Sequence, residues 1–159
     1  MRKRIFPAAL SLLLLFGVLT GCTQKNEEVK SVDLSEFYQS LSETYDFSNH
    51  MAVEGDLVAS QYPGLENLEL KQQVLYAPMM SAVVSEIALV EAANDEDAAA
   101  VEEIFQTRID TQVDGGAWYP ETIQGWVDHA QVVRNGNYVM LIANENSDAI
   151  VEAFEALFA

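Results

Sequence analysis

Gln131-Val132-Val133-Arg134-Asn135-Gly136-Asn137-Tyr138-Val139-Met140-Leu141-Ile142-Ala143 carries the strongest fold signal in the chain. Two runs rich in strand formers flank Asn135-Gly136, a dipeptide that favours a two-residue type I′ turn because both central residues of that turn need positive φ. The stretch is therefore predicted to be an antiparallel hairpin. Upstream, Ser85-Glu86-Ile87-Ala88-Leu89-Val90-Glu91 is apolar on both sides, as an inner strand requires. Val74, Leu75 and Tyr76 form another strand-like run. Pro78, with no N–H to give to a ladder, confines it to an edge strand or loop.

Helical periods surround these strands. Asp33 is placed to cap a first helix, with Glu36 completing a box-like pair, and Leu34, Phe37, Tyr38, Leu41 and Tyr45 line one face. Asn94-Asp95-Glu96-Asp97 opens a long helix with acids where the dipole favours them. Val101, Ile104, Phe105, Ile109 and Val113 form its buried side, and Gly115-Gly116 ends it. Pro120 suits the first position of a short helix whose stripe is Ile123, Trp126, Val127 and Ala130. Asn146 or Ser147 caps the last helix, in which Ile150, Val151, Phe154, Leu157 and Phe158 face inward. Between Asp46 and Leu70, Gly55 and Tyr62-Pro63-Gly64 punctuate short helical pieces. The order predicts an α+β domain. Its small antiparallel sheet of three or four strands, with a C-terminal Asn-Gly hairpin, is covered by N-terminal, middle and C-terminal helices.

The N-terminus follows other rules. Arg2, Lys3 and Arg4 precede an almost unbroken apolar run from Ile5 to Leu19, and Leu19-Thr20-Gly21-Cys22 closes it. The run is interrupted by Pro7 and Gly17 and falls short of the ~20 residues that a membrane-spanning helix needs. The pattern looks like a bacterial lipobox. Residues 1–21 are then a lipoprotein signal peptide, residues 22–32 a lipidated Cys22 and flexible tether, and residues 33–159 a single domain. The implied place is the outer face of the cell membrane. Several acyl chains, at ~0.8 kcal/mol per buried methylene, hold where one chain gives only marginal binding. With Cys22 so used, no thiol remains for a disulfide or a thiolate metal site, and the domain depends on burial.

Charge narrows the partners. Eight Lys+Arg face 25 Asp+Glu, a net of −17. Phosphate binding needs clustered bases, whereas Lys25, Lys30, Lys71, Arg108 and Arg134 are scattered, which argues against nucleic acid. The same charge repels an anionic bilayer, so the domain stands off the membrane to which the lipid ties it.

No catalytic signature is present. His50 and His129 are the only histidines, and there is no H-E-x-x-H, G-x-S-x-G, P-loop or G-x-G-x-x-G. Each histidine reads as structural or surface, and no cofactor is implied. Asn144, Asn146, Asp148 and Glu155 approach the ligand spacing of a calcium loop, but Ala149 stands where that loop needs glycine. A strand-to-helix turn is the better reading, and no metal ligand is assigned. The remaining candidates are aromatic. Trp126 lies on an apolar stripe and reads as core, whereas Trp118 and Tyr119 sit on the connection between Gly115-Gly116 and Pro120. These two are the candidate ligand-binding residues, suited to stacking on a sugar or peptide. No acid pair is singled out among the 25, so none is named catalytic.

The run Glu86-Ile87-Ala88-Leu89, the helix from Val101 to Ile109, the Gly136-Asn137-Tyr138-Val139 hairpin and the helix ending in Phe154 resemble an uncharacterised domain family of lipoproteins in Gram-positive anaerobes. The resemblance spans about Asp33 to Phe158. It implies a lipoprotein with an α+β fold and brings no catalytic or binding residues. Two functional readings follow. The first is a non-enzymatic, lipid-anchored module of the cell envelope that binds an envelope protein, peptide or glycan. The second is an envelope hydrolase acting through acidic residues.

Overall fold

Five strands build one antiparallel sheet: β1 (His50–Ala52), β2 (Leu70–Pro78), β3 (Glu86–Ala92), β4 (Ala130–Asn135) and β5 (Tyr138–Ala143), in the order β1-β2-β3-β5-β4. The computed structural model describes residues 31–47 and 49–159. Cys22, the leader 1–21 and nearly all of the 22–32 tether lie outside the described residues. Among the described residues, no helix is long and apolar enough to cross a membrane.

β3 is the central strand and is buried at every position. The period of two sends Ala88 and Val90 to one face of the sheet, and Ile87 and Leu89 to the other. Three helices cover the first face: α2 (Asp56–Gln61), α3 (Asp95–Thr111) and α4 (Pro120–His129). They contribute Val58, Val101, Phe105 and Trp126 to a core shared with Leu75 and Leu141. The second face is covered by α1 (Leu34–Thr44) and α5 (Ser147–Ala156), whose Leu34, Phe37, Ile150 and Phe154 pack with Met140 and Ile142. The architecture is α+β, as the element order predicts.

Local chemistry sets the helix ends. The Asp33 carboxylate accepts from the N–H groups of Ser35 and Glu36 at 2.9 and 3.1 Å, and Asn94 Oδ1 accepts from Asp97 N at 2.9 Å. Asn146 caps α5 without a side-chain bond to the helix N–H groups, and Asn144 Oδ1 instead accepts from both Asn146 N and Asn146 Nδ2. In that calcium-like stretch Asn144 Oδ1 serves the turn, and Asp148 Oδ1 accepts from Gln131 Nε2 of β4.

The antiparallel sheet is as expected, and His50-Met51-Ala52, too short to display any period in the sequence, adds an outer strand that brings it to five. The structure corrects three expectations. Pro78 does not mark an edge: it ends β2 opposite His50, where β1 covers Tyr76–Pro78, and a proline at a strand's last residue withholds no ladder bond from the strand interior. Val127 is 55% exposed, since it follows Trp126 and so points about 100° away from the ring's direction. Finally, Asn135 pairs with Tyr138, so the turn's central residues are Gly136 and Asn137. Gly136 has φ +57° and, among the described residues, no non-glycine residue has positive φ, so Asn137 does not, which is the type II′ pattern rather than type I′. Arg134 Nε donates to Gly136 O, and Ala92 N to Asn137 O, and these bonds hold the turn there.

Candidate functional site

Glu86 opens β3 on the face of Ala88 and Val90 and is only 1% exposed. A carboxylate in such a place needs a counter-charge and a full set of donors. Arg108 supplies the charge. On α3 it follows Val101 and Phe105 at the spacing i, i+4, i+7, which turns it toward the same core. Its Nε donates to Glu86 Oε1 at 2.9 Å and its Nη2 to Oε2 at 2.8 Å, a two-point pairing. The Tyr62 hydroxyl donates to Oε1 at 2.8 Å. The guanidinium carbon also lies 5.7 Å from the Trp126 ring centre and 6.0 Å from that of Tyr62, at the outer limit of cation–π attraction. Burial, reinforced by the Glu86 charge, pushes the Tyr62 phenol well above its ordinary value, so it remains a donor. For Arg108, burial opposes the charged form, but the bonds and charge of Glu86 outweigh it and raise the guanidinium further.

A cleft of about 360 Å³ opens onto this cluster. Gln61 at the end of α2, Arg108, Gln112 beyond α3, and Trp126 of α4 form its walls, with Ser60, Met79 and Ser81 around the mouth. Trp118 lines it as well and is 84% exposed. The chain leaves α3 through a wide turn at Gln112–Gly116, in which Gly115 takes φ +120°, and Ala117 is buried beneath the next step. That anchor, followed by the Pro120 start of α4, presents Trp118 outward. Tyr119 beside it is 53% exposed and does not line the cleft. Trp126, 3% exposed, is core as expected, yet it shares the cleft wall with Trp118.

Two polar groups of the cleft stand outside the Glu86 bonds. Arg108, whose side chain is 16% exposed, places its Nε and Nη2 on Glu86, and its Nη1 has no hydrogen-bond partner among the described residues. The Oε1 atom of Gln61 is buried and likewise has no partner among them.

A second polar centre lies toward the opposite face. His50 Nε2 is 2.8 Å from Ser85 Oγ, and Nδ1 is 3.2 Å from the Tyr38 hydroxyl. The ring stacks on Phe47 with centres 4.4 Å apart. Burial lowers the His50 pKa, against the pull of Ser85 and of the Glu86 and Asp46 charges, and favours the neutral ring. Ser85 is 7% exposed and also takes a bond from Asn144 Nδ2 at 3.3 Å, so this network ties β1, β3 and the end of β5 together. Among the described residues, no group of three or more His, Cys, Asp or Glu could hold a metal ion.

Residues 43–144 match a family described as a domain of unknown function, DUF4358, and the match covers well over half of the chain. The chain belongs to the DUF4358 family. No curated protein and no solved structure matches it. Every residue lining the cleft of this DUF4358 domain falls within the matched stretch, whereas α5 and all but the last two residues of α1 lie outside it.

Sequence reasoning placed Trp118 on an exposed connection but did not find Glu86, Arg108, Tyr62 or Gln61. A signal for two of them exists. An acid at the head of a strand apolar on both sides, and an arginine at a core position of the next helix, are each costly alone and compatible together. Tyr62 and Gln61 fall in a region without periodicity, and nothing in the residues points to them.

Proposed function

We propose that this chain is an extracytoplasmic lipoprotein, of the type its resemblance associates with Gram-positive anaerobes, whose DUF4358 domain is a non-enzymatic ligand-binding or interaction module of the cell envelope. One observation carries the reading: an exposed Trp118 indole stands at a cleft whose single lining carboxylate among the described residues, Glu86, is already held by Arg108 and Tyr62. A general acid or base must reach substrate and change its protonation state. Glu86, 1% exposed and bonded by three donors, is poorly placed for either, which disfavours the hydrolase reading. An uncovered indole on a connection, beside a wall of uncharged polar groups, suits recognition. The ligand is an envelope protein, peptide or glycan, and Tyr119, exposed next to Trp118, enlarges the contact surface.

The Leu19-Thr20-Gly21-Cys22 pattern supports the anchor. In this reading the Cys22 thiol takes a diacylglyceryl group and the domain faces outward. Two experiments test the proposal. A photo-crosslinking amino acid at position 118 of the tagged chain in cells should capture a partner of defined mass, and the same probe at exposed Val127 should not. Equal capture at both sites, or at neither, removes the site. Labelled fatty acid should enter the wild-type chain and not Cys22→Ser; label in the variant overturns the anchor.

A further inference from the structure

We propose that the cleft takes an N-acetylated amino sugar, with its acetamido group between Gln61 and Arg108 and its ring against Trp118. The inference rests on the ligand-binding reading above and names the ligand's chemistry. Gln61 Oε1 is a buried acceptor without a donor among the described residues, Arg108 Nη1 takes no part in the Glu86 pairing, and both residues line one cleft. A buried polar atom left unmatched, as Gln61 Oε1 is, is rare and costly. A group that points an N–H one way and a C=O the other can meet both residues, its N–H reaching the carboxamide oxygen after a turn of the glutamine's soft terminal torsion. A secondary amide is that group.

Charge then excludes most acids. Arg108 is neutralised by Glu86 at 2.8 Å, and the chain as a whole carries −17, so an anion finds no net attraction. A neutral ligand is favoured. Ser60, Ser81 and Gln112 line the same cleft and offer uncharged partners for hydroxyl groups, and the exposed indole offers a flat apolar surface for the C–H face of a pyranose ring. Peptides also carry secondary amides. The volume of about 360 Å³ lies near the lower end of small-ligand sites, room for a ring rather than a run of residues. The hydroxyl and carboxamide lining likewise favours the sugar.

The test uses the full-length, lipidated chain in detergent, with N-acetylglucosamine and its β-1,4-linked dimer against glucose, cellobiose and an acetyl-capped dialanine amide. Binding is followed by calorimetry and by tryptophan fluorescence. The N-acetylated sugars should bind about tenfold more tightly than their amide-free counterparts, the scale of one or two hydrogen bonds. Gln61→Ala should erase that ratio, and Trp118→Ala should weaken both sugar types, with urea midpoints unchanged in each variant. Equal affinity for glucose, a ratio that survives Gln61→Ala, or tighter binding of the capped peptide overturns the proposal. If no sugar binds while the probe at position 118 still captures a partner in cells, the sugar assignment alone fails. If both fail, the ligand-binding reading fails with it.

Discussion

Replacing Arg108 with Met should be among the most destabilising single changes in this domain. It removes two charge-assisted bonds, at 2.9 and 2.8 Å, and leaves Glu86, 1% exposed, with only the Tyr62 hydroxyl. Two unit charges about 4 Å apart at an effective dielectric near 20 attract by ~4 kcal/mol. Breaking a buried pair from one side costs ~3–5 kcal/mol, because the stranded charge keeps its desolvation penalty. Arg108 is mostly buried, so solvent screening trims this range only slightly. The sharper expectation concerns a second substitution. Glu86→Gln in the Arg108→Met background removes the stranded charge and still accepts from Tyr62, so the double variant should recover ~1–3 kcal/mol over the single one. Urea unfolding at 25 °C and pH 7.5, followed by far-UV circular dichroism, measures both steps. A cost below ~1 kcal/mol for Arg108→Met, or a double variant no more stable than the single, would refute the view of this pair as a closed unit.

Trp126→Ala should cost ~3–5 kcal/mol, as for other buried large aromatics, and Trp118→Ala under ~1 kcal/mol, since one ring is 3% and the other 84% exposed; paired melts that gave similar losses would show Trp118 to be structural. Gly136→Val should cost about 1 kcal/mol or more through its φ of +57° alone, because a Cβ there meets no atom within 4 Å, and an unchanged denaturation midpoint would contradict the turn. His50 should make stability fall with acidity: burial holds its folded pKa below the ordinary ~6.5, so the unfolded chain binds the extra proton first and stability is lost as pH drops through that value. His50→Gln should flatten the slope of stability between pH 7.5 and 5, and an equal slope in both proteins would count against it.

How far the sequence carried this fold depended on whether a pattern was local. β3, α3, α4, α5 and the β4–β5 hairpin each announce themselves through period, caps or turn residues within a dozen positions, and each is present. The hairpin's turn lies one residue beyond its expected place, because the bond from Ala92 N to Asn137 O comes from a strand more than forty residues away. β1 was invisible for the same reason: three residues become a strand only because β2 lies beside them. The site divides likewise. Trp118 follows from its neighbours, but the unit of Glu86, Arg108 and Tyr62 joins a strand, a helix and a loop, and only the closed sheet brings them together.

The shortness of β1 has a consequence for how these molecules behave in company. It pairs with β2 only from Tyr76 to Pro78, so the stretch of β2 before Leu75 runs along an open border of the sheet, where a second copy could add its own strand. That border carries its own deterrents. The register slips between Leu70 and Gln72, and Lys71, about half exposed, stands at the irregularity with its ammonium 3.1 Å from Glu91. A bulged backbone carrying a charge is a poor template for strand addition. Crowded together, such domains are expected to remain separate particles along this rim, where the one misfit residue is itself a lysine.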